Sequence, residues 1–192
     1  MCVLFNGSTS FTCSRNLPTA DWANELKDAE KALQTFFDGC HAAGPQACAF
    51  YADSPAKIKS NLDALFKKVQ QQPVSVFSST SGSYGVLDYV GLKNAVFSSL
   101  YSPYNRFSAL EKGLALLASN GDASALYPIS LTAHTNEVVM AVACGDGEKV
   151  NDDPAALTKY YNNMKDSSYF SSIVAAIRVT CSCVSIFNAP DS

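Results

Sequence analysis

Apolar residues recur along this chain at helical spacing, in segments that proline or glycine repeatedly interrupts. Leu26, Ala29, Leu33, Phe36, Phe37 and Cys40 fall at three- and four-residue steps, which puts them on one helical face. The spacing predicts a first helix from about Asp21 to Cys40, capped by Asp21 or Thr19 and terminated by Gly39 and Gly44 with Pro45. Ser54 and Pro55 mark the start of a second, striped by Ile58, Leu62, Leu65, Phe66 and Val69 and ended by Pro73. A third covers Tyr89 to Leu100 behind Asp88, and a fourth covers Phe107 to Ser119 with Leu110, Leu114 and Leu117, after a turn at Ser102-Pro103-Tyr104. Two more are expected, from Pro154 to about Lys165 and from Ser168 to Thr180. Val74 to Val86 alternates only in part and reads as a short strand or extended loop; within residues 123–143 Pro128 breaks any long helix, and Asn136 to Ala143 fit a helical turn or a strand. The pattern defines a mainly α fold whose first two helices form an antiparallel pair.

The 192 residues are 47% hydrophobic and 16% charged, enough to bury a real core within one domain. The net charge of -3 and the absence of a basic cluster, with Lys67-Lys68 the only adjacent basic pair, argue against nucleic acid as a partner. No window is apolar for the eighteen or so residues that a membrane span needs. Met1 to Phe5 is too short for the core of an export signal. Seven cysteines and the glycosylation pattern Asn6-Gly7-Ser8 nevertheless suit an oxidising compartment. An export signal upstream of Met1 would reconcile the two.

Chemistry-bearing motifs are sparse. A serine triad needs a nucleophile, a base and an orienting acid at one point. No G-x-S-x-G elbow occurs, and Ser83, between Gly82 and Tyr84, lacks the strand–turn–helix setting. His41 and His134 are the only histidines, so no catalytic residue is assigned. Cys181-Ser182-Cys183 has no matching second pair and makes a poor zinc half-site; no metal or cofactor is expected. Cys40 and Cys48 flank a Gly-Pro loop of a size suited to a disulfide. Cys144 and Cys181 are a further candidate pair, with the connectivity of the seven left open. Asp146, between Gly145 and Gly147, reads as a turn residue or as a carboxylate that binds an amine. Trp22, Tyr89, Tyr101, Tyr104 and Phe107 either line a groove or belong to core and interface.

Several blocks occur in an order that resembles one family. They are Ala20-Asp21-Trp22, Asp28 to Leu33, Phe36 to Cys40, Ala43-Gly44-Pro45 to Phe50, Val90 to Phe97, Leu100 to Pro103, and Ala141 to Asp146. Together they resemble the secreted α/β-hydrolases of the tripeptidyl aminopeptidase-like group, peptidase family S33, over residues 20–182. The resemblance implies the helical cap (lid) region of an α/β-hydrolase, lacking most or all of the catalytic sheet. Residues 1–19 would be an entry segment or sheet remnant, 20–182 the cap, and 183–192 a tail that departs from the family. The chain would then be a non-catalytic, truncated piece of a secreted serine peptidase. Peptide would be a substrate only in an intact relative, where Asp146 would meet its ammonium group and Trp22 and Tyr101 would line the groove. A cap without its sheet would expose an apolar face and self-associate through it. A free-standing helical binding module is the alternative, followed by a diverged active hydrolase.

Overall fold

The structure, a computed structural model, describes residues 26, 28–78, 82–131, 144, 152–165 and 167–184. The chain forms two compact units, one of residues 28–134 and one combining 1–27 with 135–192. It is mainly helical. Among the described residues there are seven helices and one open, two-stranded antiparallel sheet.

In the 28–134 unit, α1 (Ala29–Ala43) and α2 (Pro55–Gln71) lead into a hairpin of β1 (Val74–Ser78) and β2 (Ser83–Leu87). Then follow α3 (Tyr89–Leu100), α4 (Pro103–Asn120) and the short α5 (Tyr127–Leu131). The core is made by the expected stripes: Leu33, Phe36, Phe37 and Cys40 from α1, and Ile58, Leu62, Leu65, Phe66 and Val69 from α2. α3 is the hub, packed against α1, α2, α4, α5 and β2. Its buried set, Leu92, Lys93, Ala95, Val96, Ser98 and Ser99, runs well beyond one stripe, as a centrally placed helix requires. Small side chains at Ala95, Ser98 and Ser99 keep its surface low where neighbours approach. The Ser99 hydroxyl is satisfied by donating to the Ala95 carbonyl at 2.8 Å.

Several helix limits differ from the sequence expectation. α1 starts at Ala29 behind Asp28, not at about Asp21, and runs past Gly39 and Cys40 to Ala43, ending at Gly44, whose φ of 77° is in the left-handed region. The run from Leu33 to Cys40 keeps the inner face continuous through Gly39, so packing overrides that residue's low helix propensity. α4 begins at Pro103, not Phe107. The residue that suggested a turn sits in the first helical turn, where its missing N–H costs nothing. The last helix spans Ser171–Val184 instead of Ser168 to Thr180. At its start the Ser168 hydroxyl accepts from the Phe170 N–H at 3.1 Å in a local turn. At its end, Thr180 and Ser182 donate their hydroxyls back to the Ala176 and Arg178 carbonyls, which lets polar residues continue the helix. Of residues 123–143, the structure describes those up to Leu131, with Pro128 inside a five-residue helix, and the ambiguous Asn136 to Ala143 lie outside the described residues.

The hairpin has two different faces. Val76 and Leu87 point inward and are buried. Gly85, paired with Val76, lies under the Tyr127 side chain of α5; a Cβ there would meet the Tyr127 Oη at 2.0 Å. The opposite face carries Phe77 and Tyr84, directly paired across the strands and 77% and 80% exposed, with Val86 beside them.

The second unit contributes α6 (Pro154–Met164) and α7 (Ser171–Val184), which pack together. Asp153 caps α6 by accepting from the Ala156 N–H at 2.7 Å. The Cys144–Cys181 disulfide, with Cα atoms 5.1 Å apart, ties α7 to residue 144. Arg178 donates from Nε to Asp152 Oδ2 at 2.6 Å and lies 4.5 Å from the Tyr160 ring centre. Burial pushes the Tyr160 phenol pKa upward, only partly offset by the Arg178 charge.

Candidate functional site

The loop between α1 and α2 cannot be helical because Gly44-Pro45 interrupts it, yet it is held at several independent points. The Ala47 and Cys48 N–H groups both donate to the Gly44 carbonyl, at 3.2 and 3.0 Å, which folds the chain back toward the end of α1. Cys48 is joined there to Cys40, with Cα atoms 5.3 Å apart. His41, on the same last turn of α1, has its Nδ1 3.2 Å from the Ala52 carbonyl oxygen. That acceptor fixes Nδ1 as the protonated ring nitrogen. The His41 ring also stacks on Tyr51, with centroids 5.8 Å apart and planes 10° from parallel.

The remaining tie comes from far along the sequence. Glu111 lies on α4, one position beyond Leu110 in the inner stripe, and is only 7% exposed. Its Oε2 accepts a hydrogen bond from the Ala49 N–H, sixty-two residues away. A carboxylate so buried needs donors, and the backbone of the disulfide loop supplies one. Glu111→Ala is expected to leave the Ala49 N–H without its partner and to destabilise the unit by about 1–3 kcal/mol. Chemical denaturation with amide exchange at Ala49 measures this; Glu111→Gln, which still presents an acceptor oxygen, should lose less. Unchanged exchange at Ala49 in the Ala variant would show that the contact does not hold the loop.

Between this loop and α4 lies an open depression of about 770 Å³. Ala49, Phe50 and Tyr51 form one wall, α4 forms the other with Lys112, Ala115, Leu116, Ala118 and Ser119, and Asn61 of α2 joins them. Lys112 is the one charged residue of the lining, and no carboxylate lines it. The surface is otherwise apolar, with an amide, a phenol and a hydroxyl at its polar points, a composition that binds and orients small or extended ligands.

The residues singled out from sequence do not converge there. Trp22 and Asp146 lie outside the described residues. Tyr101 follows α3, 76% exposed, with its ring edge-on to Phe97 at 5.4 Å, and does not line the depression. Phe107 packs on Phe36 at 5.1 Å and Tyr89 on Phe66 at 6.0 Å, so both serve packing. Of the cysteines read as candidate partners, the structure joins Cys40 to Cys48 and Cys144 to Cys181. Glu111, Asn61 and Lys112 were not singled out by the sequence. Glu111 alone left a signal, an acid three residues before Leu114 on the edge of the apolar stripe. No group of metal-ligating side chains with suitable geometry occurs among the described residues, and no helix there is long and apolar enough to cross a membrane. Comparison of the chain with family models, curated proteins and solved structures finds no match.

Proposed function

We propose that the 28–134 unit is a non-catalytic helical binding module whose ligand surface is the depression beside the disulfide loop. The observation that supports this reading is the bracing of residues 44–53 by the Cys40–Cys48 bond, by Glu111 and by His41. A wall ordered in advance loses little conformational freedom when a ligand arrives, so more of the contact energy appears as affinity. The helices also bury their stripes among themselves, as a free-standing module must. Titrating the full chain with N-acetyl-Ala-Ala-Phe-amide while following backbone amide resonances tests the reading. Saturable shifts confined to Ala49–Tyr51 and Ala115–Ser119 are expected; their absence at millimolar peptide would rule it out.

A second reading is favoured by the outer face of the hairpin, where Phe77, Tyr84 and Val86 stand uncovered. In it the chain is the substrate-gating cap of an S33-like secreted aminopeptidase. The sheet of an intact relative would cover apolar surface of this kind and bring the nucleophile, acid and histidine. Peptide would be the substrate of that relative, with Asp146 meeting its ammonium group. Both readings make the isolated chain non-catalytic. Covalent labelling of a single serine by a fluorophosphonate, abolished by denaturation, would replace both with a diverged hydrolase.

A further inference from the structure

We infer that the depression beside α4 takes the C-terminal carboxylate of a short, apolar-ended peptide, with Lys112 as the charge that selects it. The inference rests on the binding-module reading and adds the chemistry of the ligand. Lys112 supplies the only formal charge of the lining, and it makes no ion pair with a carboxylate among the described residues. Asn61 brings amide donors to the same surface, and the Glu111 carboxylate, which is not among the lining residues, is buried and engaged by the Ala49 N–H. The rest of the lining, Phe50, Leu116 and the alanines, suits an apolar body attached to that anion.

One feature favours a peptide end over an alkyl acid. The depression is open on one side, which keeps the amide groups of a bound peptide in contact with water, as their hydrogen-bonding demands require. A simple alkyl chain would gain most from full enclosure, which an open surface does not give. The volume of about 770 Å³ lies within the range of small-ligand sites, so it fits the last few residues of a chain better than a long segment.

The experiment compares N-acetyl-Ala-Ala-Phe bearing a free carboxylate with its C-terminal amide, both titrated into the full chain at low salt. The acid is expected to bind about fivefold more tightly, the size of one solvent-exposed ion pair. Lys112→Gln should erase that preference and Lys112→Arg should keep it; Lys112 is exposed, so neither substitution threatens the fold. Equal binding of acid and amide, or a preference that survives Lys112→Gln, overturns the inference while leaving the binding module intact. Decanoate binding more tightly than the peptide acid, with the same dependence on Lys112, overturns the peptide assignment. Failure of every peptide to shift the amides of the depression overturns this inference and the binding reading together.

Discussion

Leu114→Ala is expected to destabilise the 28–134 unit by about 2–5 kcal/mol, the range seen when a fully buried leucine is truncated. Leu114 has 0% exposure and sits between Leu110 and Leu117 on the inner face of α4, which packs against α1, α2 and α3. Where in that range the loss falls depends on how far the surroundings can close over the missing atoms. Collapse is hard here. Pro103 and Gly121, with its left-handed φ of 75° and ψ of 14°, set where α4 begins and ends, and the Glu111–Ala49 bond ties its middle to the α1–α2 loop. A helix packed on three others and tied by that bond cannot easily slide to fill a hole, so a loss in the upper half of the range follows. The measurement is native-state amide exchange in α3 and α4 of the full chain, because two units need not unfold in one transition. Leu116→Ala, two residues on and so facing the other way, exposed in the depression, is the control and should lose far less. Comparable losses for the two variants would mean that the inner face of α4 is not packed as described.

Removing the short disulfide should rank next. Cys40→Ala with Cys48→Ala reopens a loop with a sequence separation of 8, which by the chain-entropy account costs about 2–3 kcal/mol. The structure adds a local expectation. Once the bond is gone, residues 44–53 lose their covalent tie and keep the Glu111 and His41 contacts and the local bonds to Gly44, so faster exchange should concentrate there and in the last turn of α1. Affinity for any peptide in the depression should fall with it, since the wall would then be ordered at the ligand's expense. Both sulfurs are buried, so mild reductant should act slowly on the folded protein and quickly once denaturant is added. A double-mutant cycle with Glu111→Ala would separate the two ties. Coupling is expected because both restrain one loop. Strict additivity, with no change in exchange at residues 44–53, would contradict a shared bracing role.

The helices were readable because their inner residues obey a simple period. Leu33, Phe36, Phe37 and Cys40, or Leu110, Leu114 and Leu117, specify a face whatever that face meets. α3 shows where periodicity stops helping, since its Leu92–Val96–Leu100 stripe does not reveal that Lys93, Ser98 and Ser99 are buried too. The aromatic residues show the same gap. Tyr101 and Phe107 lie six positions apart and share a sequence setting, yet one is exposed and the other packs on Phe36. Which aromatic meets water depends on helix crossings that local spacing does not encode. The Gly-Pro loop and its flanking cysteines were legible as a small closed unit. Its return to α4 was not, because a backbone N–H and a carboxylate sixty-two residues apart leave no joint signature in one sequence.

The hairpin described above would also bias how copies of the chain meet in solution. From Val69 to Leu87 there is no charged residue, so the overall -3 is carried entirely by other regions. Two molecules approaching hairpin to hairpin encounter little local repulsion, and the faint long-range repulsion that remains is easily screened by salt. Shelf life and crowding tolerance should therefore be decided at Phe77 and Tyr84, and a lysine at either position would do more for colloidal behaviour than the same charge added elsewhere.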